Sequence, residues 1–251
     1  MKLLLDAGNS RLKWAWWAQG AVREQGALAH EGAARTHWSG FLSSLTALNA
    51  GGPPARILCV EVLGRAFREA LAVWARDLGW PAPRFLSADP ALHGITSDYH
   101  DPARLGLDRY AAMAGARALG HESAVIIDCG TAVTLDRLDQ CGHHRGGLIL
   151  PGLGLMRRSL GAAPGVSGLP EGRADCIPAV CTADAVATGT LIGLVAAIDH
   201  LSAQLLPDSA GPIPRLITGG DASQLVPHLT GDILWLPDLV FTGLAQMGEG
   251  G

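Results

Sequence analysis

Two aspartates stand in the same local setting. Leu3-Leu4-Leu5 runs into Asp6-Ala7-Gly8-Asn9-Ser10, and Val125-Ile126-Ile127 runs into Asp128-Cys129-Gly130-Thr131-Ala132. Each apolar triplet reads as a buried strand, with the carboxylate emerging at the strand end. Each glycine is expected to allow a tight turn where a side chain would clash. The small residues that follow offer backbone N–H groups and short polar side chains, which suit a phosphate oxygen. A carboxylate repels phosphate and approaches it through a hard cation such as Mg²⁺. Asp6 and Asp128 therefore read as metal-side groups and Gly8, Asn9, Ser10, Gly130 and Thr131 as phosphate contacts. Taken singly, Asp-x-Gly is a common turn. The two copies start near half a chain length apart, which suggests two related halves, each opening with a hairpin.

A third element is Arg215-Leu216-Ile217-Thr218-Gly219-Gly220-Asp221, a strand running directly into paired glycines. Gly219 and Gly220 would let backbone come close to a ligand, and Asp221 is placed to cap the next helix. Gly106-Leu107-Asp108-Arg109 puts a carboxylate and a guanidinium at a helix start, where aspartate is also favoured on electrostatic grounds alone. The sequence contains no Gly-x-x-x-x-Gly-Lys-Ser/Thr, no Gly-x-Gly-x-x-Gly after the first strand and no Gly-x-Ser-x-Gly, so P-loop, dinucleotide-dehydrogenase and hydrolase readings fall away.

Elements must hold these residues. Strand-like runs cover 2–5, 12–17, 57–62, 84–86, 124–127, 133–137, 147–150 and 215–218. Helix-like runs cover 37–48, 65–78, 108–119, 154–160, 183–206 and 222–229. Alternation of this kind predicts an α/β architecture. The chain has 251 residues, 48% apolar and 17% charged, enough for a core and too apolar for disorder. A net charge of −4 argues against nucleic acid as partner. The N-terminal apolar run is too short for a signal segment, and Leu191–Ile198 is too short to span a bilayer, so no membrane role and a cytoplasmic location are expected. Five loosely spaced cysteines do not suggest a disulfide framework. Cys141-Gly142-His143-His144 lacks a second ligand pair at zinc spacing and reads as a polar turn between strands. Gly51–Pro54 and Gly211–Pro214 read as loops. The helix over 183–206 is apolar enough to be either core or an oligomer surface.

Six segments resemble type III pantothenate kinases, within the actin-like ATPase superfamily of acetate and sugar kinases. They are Asp6-x-Gly8-Asn9-Ser10-x-x-Lys13, Gly106-Leu107-Asp108-Arg109, Asp128-x-Gly130-Thr131-Ala132-x-Thr134-x-Asp136, Gly146-Gly147-x-Ile149-x-Pro151-Gly152, Thr182-x-Asp184-Ala185-x-x-x-Gly189 and Asp238-Leu239-Val240-x-x-Gly243-Leu244. The resemblance runs from residue 3 to about 245. It implies a duplicated actin-like ATPase (ribonuclease H-like) fold with two lobes of mixed sheets, 1–115 and 116–251. It implies ATP-dependent phosphorylation of pantothenate to 4′-phosphopantothenate, the first step toward coenzyme A. ATP, Mg²⁺ and a monovalent cation, K⁺ or NH₄⁺, are the implied cofactors, and a homodimer the implied assembly. Carried onto this chain, Asp108 is the general base, and Tyr99, Gly106, Arg109 and Thr182 bind pantothenate. Asp6, Gly8, Asn9, Ser10, Lys13, Gly130, Thr131, Thr134, Gly219 and Gly220 bind ATP, with Asp6 and Asp128 on the metal. A related kinase for another small hydroxy acid, or a regulator that keeps the ATP site without efficient turnover, are the alternatives. Two positions depart from the family pattern: Glu61, where a small polar residue is usual, and Ser97, where asparagine is common.

Overall fold

The computed structural model describes residues 1–30, 38–43, 45, 52–89, 93–206 and 213–249. Parts of the predicted helix over 37–48 and of the loops at 51–54 and 211–214 lie outside those residues.

The alternation of strands and helices produces two units, each built on its own sheet. The first unit takes Met1–Ile95, Asp101–Leu119 and Asp238–Gly251, and the second Thr96–His100 and Gly120–Pro237. The first sheet contains β1 (Lys2–Ala7), β2 (Arg11–Ala18), β3 (Ala21–Ala29), β4 (Arg56–Glu61) and β5 (Pro83–Phe85), in the order β3-β2-β1-β4-β5. The second contains β6 (Thr96–Ser97), β7 (Ala124–Cys129), β8 (Ala132–Leu138), β9 (His143–Pro151), β10 (Arg215–Thr218) and β11 (Ile233–Trp235). Its order from the β6 edge is β6-β9-β8-β7-β10-β11. The two orders superimpose: an antiparallel meander of three strands continues through two parallel strands. The suspected internal repeat is a repeat of topology. Among the described residues, β6 is the strand of the second sheet with no partner in the first.

β1, β4 and β7 are buried along almost their whole length, as expected of strands covered on both faces. β3 has an exposed polar sequence, which is why no apolar run announces it. The helices are α1 (Trp38–Ser43), α2 (Arg65–Asp77), α3 (Leu107–Ala118), α4 (Leu153–Gly161), α5 (Thr182–Gln204), α6 (Ala222–Leu225) and α7 (Leu239–Met247). The first core gathers Leu3, Leu5, Leu12 and Trp16 with Phe67, Leu71 and Trp74 of α2. The second gathers Val125, Ile127, Val133 and Leu135 with Leu191, Leu194, Val195 and Ile198 of α5. By length and composition α5 could cross a bilayer, contrary to the expectation from its short apolar run. Its core contacts account for that apolarity.

α3 is held by glycine. A Cβ on Gly115 would strike the Leu239 carbonyl oxygen, and one on Gly243 would strike that of Ala111, so α3 and α7 cross at backbone contact. This crossing returns the C-terminal helix to the first unit and sets the position of the α3 N-terminus.

Candidate active site

In the first unit the central strand β1 carries Asp6 near its C-terminal end, directly opposite Lys13 of β2. Lys13 Nζ lies 3.4 Å from Asp6 Oδ2. Asp6 is buried, and that burial pushes its carboxyl above the usual range. Lys13 pulls the other way, and the nearby Asp108 carboxylate adds to the rise. Gly8, Asn9 and Ser10 form the connection between the strands, closed by Gly8 N–H donating to the Arg11 carbonyl at 3.0 Å. Asn9 is exposed, with Gly8 and Ser10 half-buried.

Asp108 sits in the first turn of α3, after Gly106 at the N-cap position. Its Oδ1 accepts the Arg109 N–H at 2.8 Å. A side chain on Gly106 would press on that same oxygen, so glycine keeps the carboxylate accessible. Asp108 is half-buried, whereas Arg109 is buried. Tyr110 beneath them donates its hydroxyl to the Asp89 carbonyl at 3.1 Å, and burial raises its phenol to about 12.

In the second unit Asp128 stands opposite Thr134, and both are buried. The β7–β8 turn is closed by Gly130 N–H donating to the Ala132 carbonyl at 3.0 Å, leaving Thr131 exposed. β10 runs parallel to β7, with Thr218 beside Asp128. The chain then turns at Gly219 with φ at +96°. A Cβ there would collide with Asp128 Oδ1 and the Cys129 carbonyl, so the close approach made by this glycine is to the Asp128 strand end. Burial, Asp128 and Asp221 together push the Cys129 thiol well up, marking this strand end as negative. Gly220 is exposed. Asp221 takes the N-cap position of α6 without a side-chain capping bond.

Gly8 and Gly130 correct one expectation. Neither has a left-handed φ, and a Cβ on either meets nothing nearer than 3.6 Å. The turns themselves do not demand glycine, because they open outward. The space a side chain would fill is space left beside the turn.

The remaining candidates all lie in the second unit. Thr182 is exposed as the first residue of α5, with Cys181 rather than Thr182 at the N-cap position. Tyr99 is half-buried just after β6, its ring 5.3 Å from that of His144. His143 and His144 are strand residues of β9, not a turn; the turn ends at Gly142. Two supporting residues went unassigned at the level of sequence. Gly152 lies so close to the turn that a Cβ would strike the Gly130 carbonyl, and its N–H donates to the Thr131 carbonyl at 3.0 Å. Asp136, fully buried, is paired with His144. Gly152 could have been suspected from its place in Pro151-Gly152; the Asp136 pairing depends on strand register and had no local signal.

Hard cations take oxygen ligands, and Mg²⁺ is commonly held by one or two carboxylates together with phosphates and waters. Asp6 and Asp128 fit that chemistry, each a buried carboxylate at a strand end beside an open turn. Among the described residues no group of three or more His, Cys, Asp or Glu side chains gathers into a larger metal site.

The chain is similar to known proteins over nearly its whole length. A protein from Alkalilimnicola ehrlichii described as a type III pantothenate kinase is 41% identical, the alignment covering 98% of this chain and 97% of that protein. Among solved structures, a Baf-family transcriptional activator from Campylobacter jejuni superimposes with a TM-score of 0.62 at 21% identity, covering 98% of this chain and 97% of that one. A 2-dehydro-3-deoxygalactonokinase protein from Sinorhizobium meliloti gives 0.58 at 16% identity, covering 99% and 98%. These structural likenesses carry the fold, that of the actin-like ATPases. The family model for type III pantothenate kinase matches residues 2–204, and the chain belongs to that family.

Proposed function

We propose that this protein transfers the γ-phosphoryl group of ATP to the primary hydroxyl of pantothenate, giving 4′-phosphopantothenate and ADP for coenzyme A synthesis. The observation that carries the reading is the Gly106–Asp108–Arg109 arrangement. It presents a half-buried aspartate, its carboxylate bonded to the next residue's N–H, followed by a buried arginine at a helix start, in a chain of this family.

Phosphoryl transfer to an alcohol asks the protein for position and charge rather than covalent help. Asp108 Oδ2 accepts the hydroxyl proton while Oδ1 stays bonded to the Arg109 N–H, which fixes the carboxylate plane. Arg109 attracts the pantothenate carboxylate. Tyr99 forms a wall of the pantothenate pocket, and Thr182 and Gly106 line it. The turn residues Asn9, Ser10 and Thr131, with Lys13 and Thr134, contact phosphate, and Gly8 and Gly130 leave room for its close approach. Gly219 and Gly220 serve the nucleotide. Asp6 and Asp128 hold the divalent cation, which when bound neutralises phosphate charge. A monovalent cation, K⁺ or NH₄⁺, belongs to the same reading, as does a cytoplasmic location. Leu148, Ile149, Leu155 and Leu160 on β9 and α4 are exposed and apolar, which supports a second copy of this chain as partner.

The test is ADP release by purified protein with ATP, Mg²⁺ and K⁺, with and without pantothenate. Pantothenate-dependent release that falls about 100-fold or more in Asp108→Asn is expected for loss of a general base. Folded protein that releases no more ADP with pantothenate than without it would defeat the assignment.

A further inference from the structure

His143 and His144 belong neither to the phosphate turns nor to the acid–base pair. They lie beside β6, a strand of two residues at the sheet edge that has no counterpart among the described residues of the first unit. So short an edge strand has little backbone pairing to hold it. Thr96 N–H donates to the Gly142 carbonyl at 3.2 Å, and Asp98 N–H donates to that of His144 at 3.0 Å. Side chains add the rest. His143 reaches Thr96 Oγ1 and lies 2.6 Å from Asp98 Oδ1. Arg145 also approaches Asp98, at 3.5 Å.

The inner arm is buried. His144 and Asp136 are 0% and 1% exposed, with Nε2 2.7 Å from Asp136 Oδ1. His144 Nδ1 is 2.9 Å from Ser97 Oγ, and Ser97 Oγ accepts the Tyr99 N–H at 3.2 Å. His144 shares one hydrogen bond with Asp136 at Nε2 and one with the Ser97 hydroxyl at Nδ1, and a serine lone pair is left for the Tyr99 N–H. The contacts thus run unbroken from Asp136 through His144 and Ser97 to Tyr99. The same imidazole packs against the Tyr99 ring.

We propose that Asp136, His144 and Ser97 form a buried positioning relay that holds Tyr99 as a preset wall for the acid substrate. The proposal rests on the reading of Tyr99 as part of the pantothenate pocket. None of the three residues touches substrate. They act by removing the cost of ordering Tyr99 when pantothenate binds. The relay therefore sets recognition of the phosphoryl acceptor and leaves ATP and the transfer step alone. This chain reaches its histidine through the Ser97 hydroxyl.

Ser97→Ala removes the middle of the relay at a partly exposed position, and Ser97→Thr keeps the hydroxyl. Two readouts are taken on each: hydrogen exchange of the Tyr99 amide, and steady-state kinetics with pantothenate and ATP varied separately. For Ser97→Ala we expect Tyr99 exchange to speed up about tenfold or more and KM for pantothenate to rise about tenfold. KM for ATP and kcat should stay within about twofold, and Ser97→Thr should recover both losses. Unchanged Tyr99 exchange in Ser97→Ala would overturn the relay. Faster exchange with an unchanged pantothenate KM, or equal rises in both KM values, would overturn its link to the substrate. A wild type with no pantothenate-dependent turnover would instead defeat the functional reading and the substrate link with it, while the exchange readout would still judge the relay.

Discussion

Asp6 faces Lys13, whereas Asp128 faces Thr134. The difference comes from a single residue. Three residues, Gly8 to Ser10, connect β1 to β2, but only Gly130 and Thr131 connect β7 to β8. Aligning the two Asp-x-Gly segments residue by residue puts Leu12 where Thr134 stands. In the folded chain the extra residue shifts the register by one, which turns every following side chain to the other face. Leu12 goes into the core and Lys13 comes to the carboxylate. The neighbouring strands diverge too. Glu61 follows Val60, the residue beside Asp6, as Gly219 follows Thr218, the residue beside Asp128. Gly219 turns sharply against Asp128, while Glu61 accepts the N–H groups of Leu63 and Gly64, each at 2.6 Å, and binds Arg68. One topology thus carries two kinds of strand end. The first brings its own cation; the second brings a backbone turn packed against the carboxylate.

That contrast can be broken experimentally. Gly219→Ala combines a positive φ with collisions against Asp128 and Cys129, and should cost about 3 kcal/mol in urea unfolding. Stability within about 0.5 kcal/mol of wild type would show that the second strand end is not tightly packed. Lys13→Ala should cost about 2 kcal/mol, because it strips the counter-charge from a buried carboxylate. An equal loss in Thr134→Ala would erase the distinction between the hairpins. Gly8→Ala and Gly130→Ala should unfold within about 0.5 kcal/mol of wild type, since nothing in the chain obstructs the added methyl. Each should still raise KM for ATP about tenfold if phosphate occupies that space. Normal ATP kinetics in both would remove the turns from the nucleotide site.

The smallest effect concerns Glu61. Burial alone would raise its carboxyl, but the N–H of Gly64, the Arg68 guanidinium and the N–H of Leu63 hold it below the ordinary range. A lowered folded value means the contribution is complete above the ordinary glutamate range and fades as pH falls through the folded value. Glu61→Gln should therefore lose about 1 kcal/mol near neutral pH and converge with wild type in acid. A constant gap across acid titration would contradict that origin. The same contacts give Glu61 its local role: it organises the start of α2.

The repeated Asp-x-Gly segments were legible because strand ends and turns are local features, and the topological repeat followed from them. Gly106–Arg109 was legible as a helix start for the same reason. Register was not. The pairing of Asp6 with Lys13 and of Asp136 with His144 depends on how many residues each connection holds and where β8 bulges. β3 stayed hidden because its side chains are mostly solvated. His143 and His144 looked like turn residues because the short β6 that buries one of them carries no apolar run of its own.

The most direct measurement follows the phosphoryl group itself, using γ-labelled ATP and pantothenate with wild type and Asp108→Asn. The account predicts one labelled phosphopantothenate for each ADP in the wild type, and about 100-fold less of both in the variant. ADP formed without labelled phosphopantothenate, or full transfer by Asp108→Asn, would contradict it.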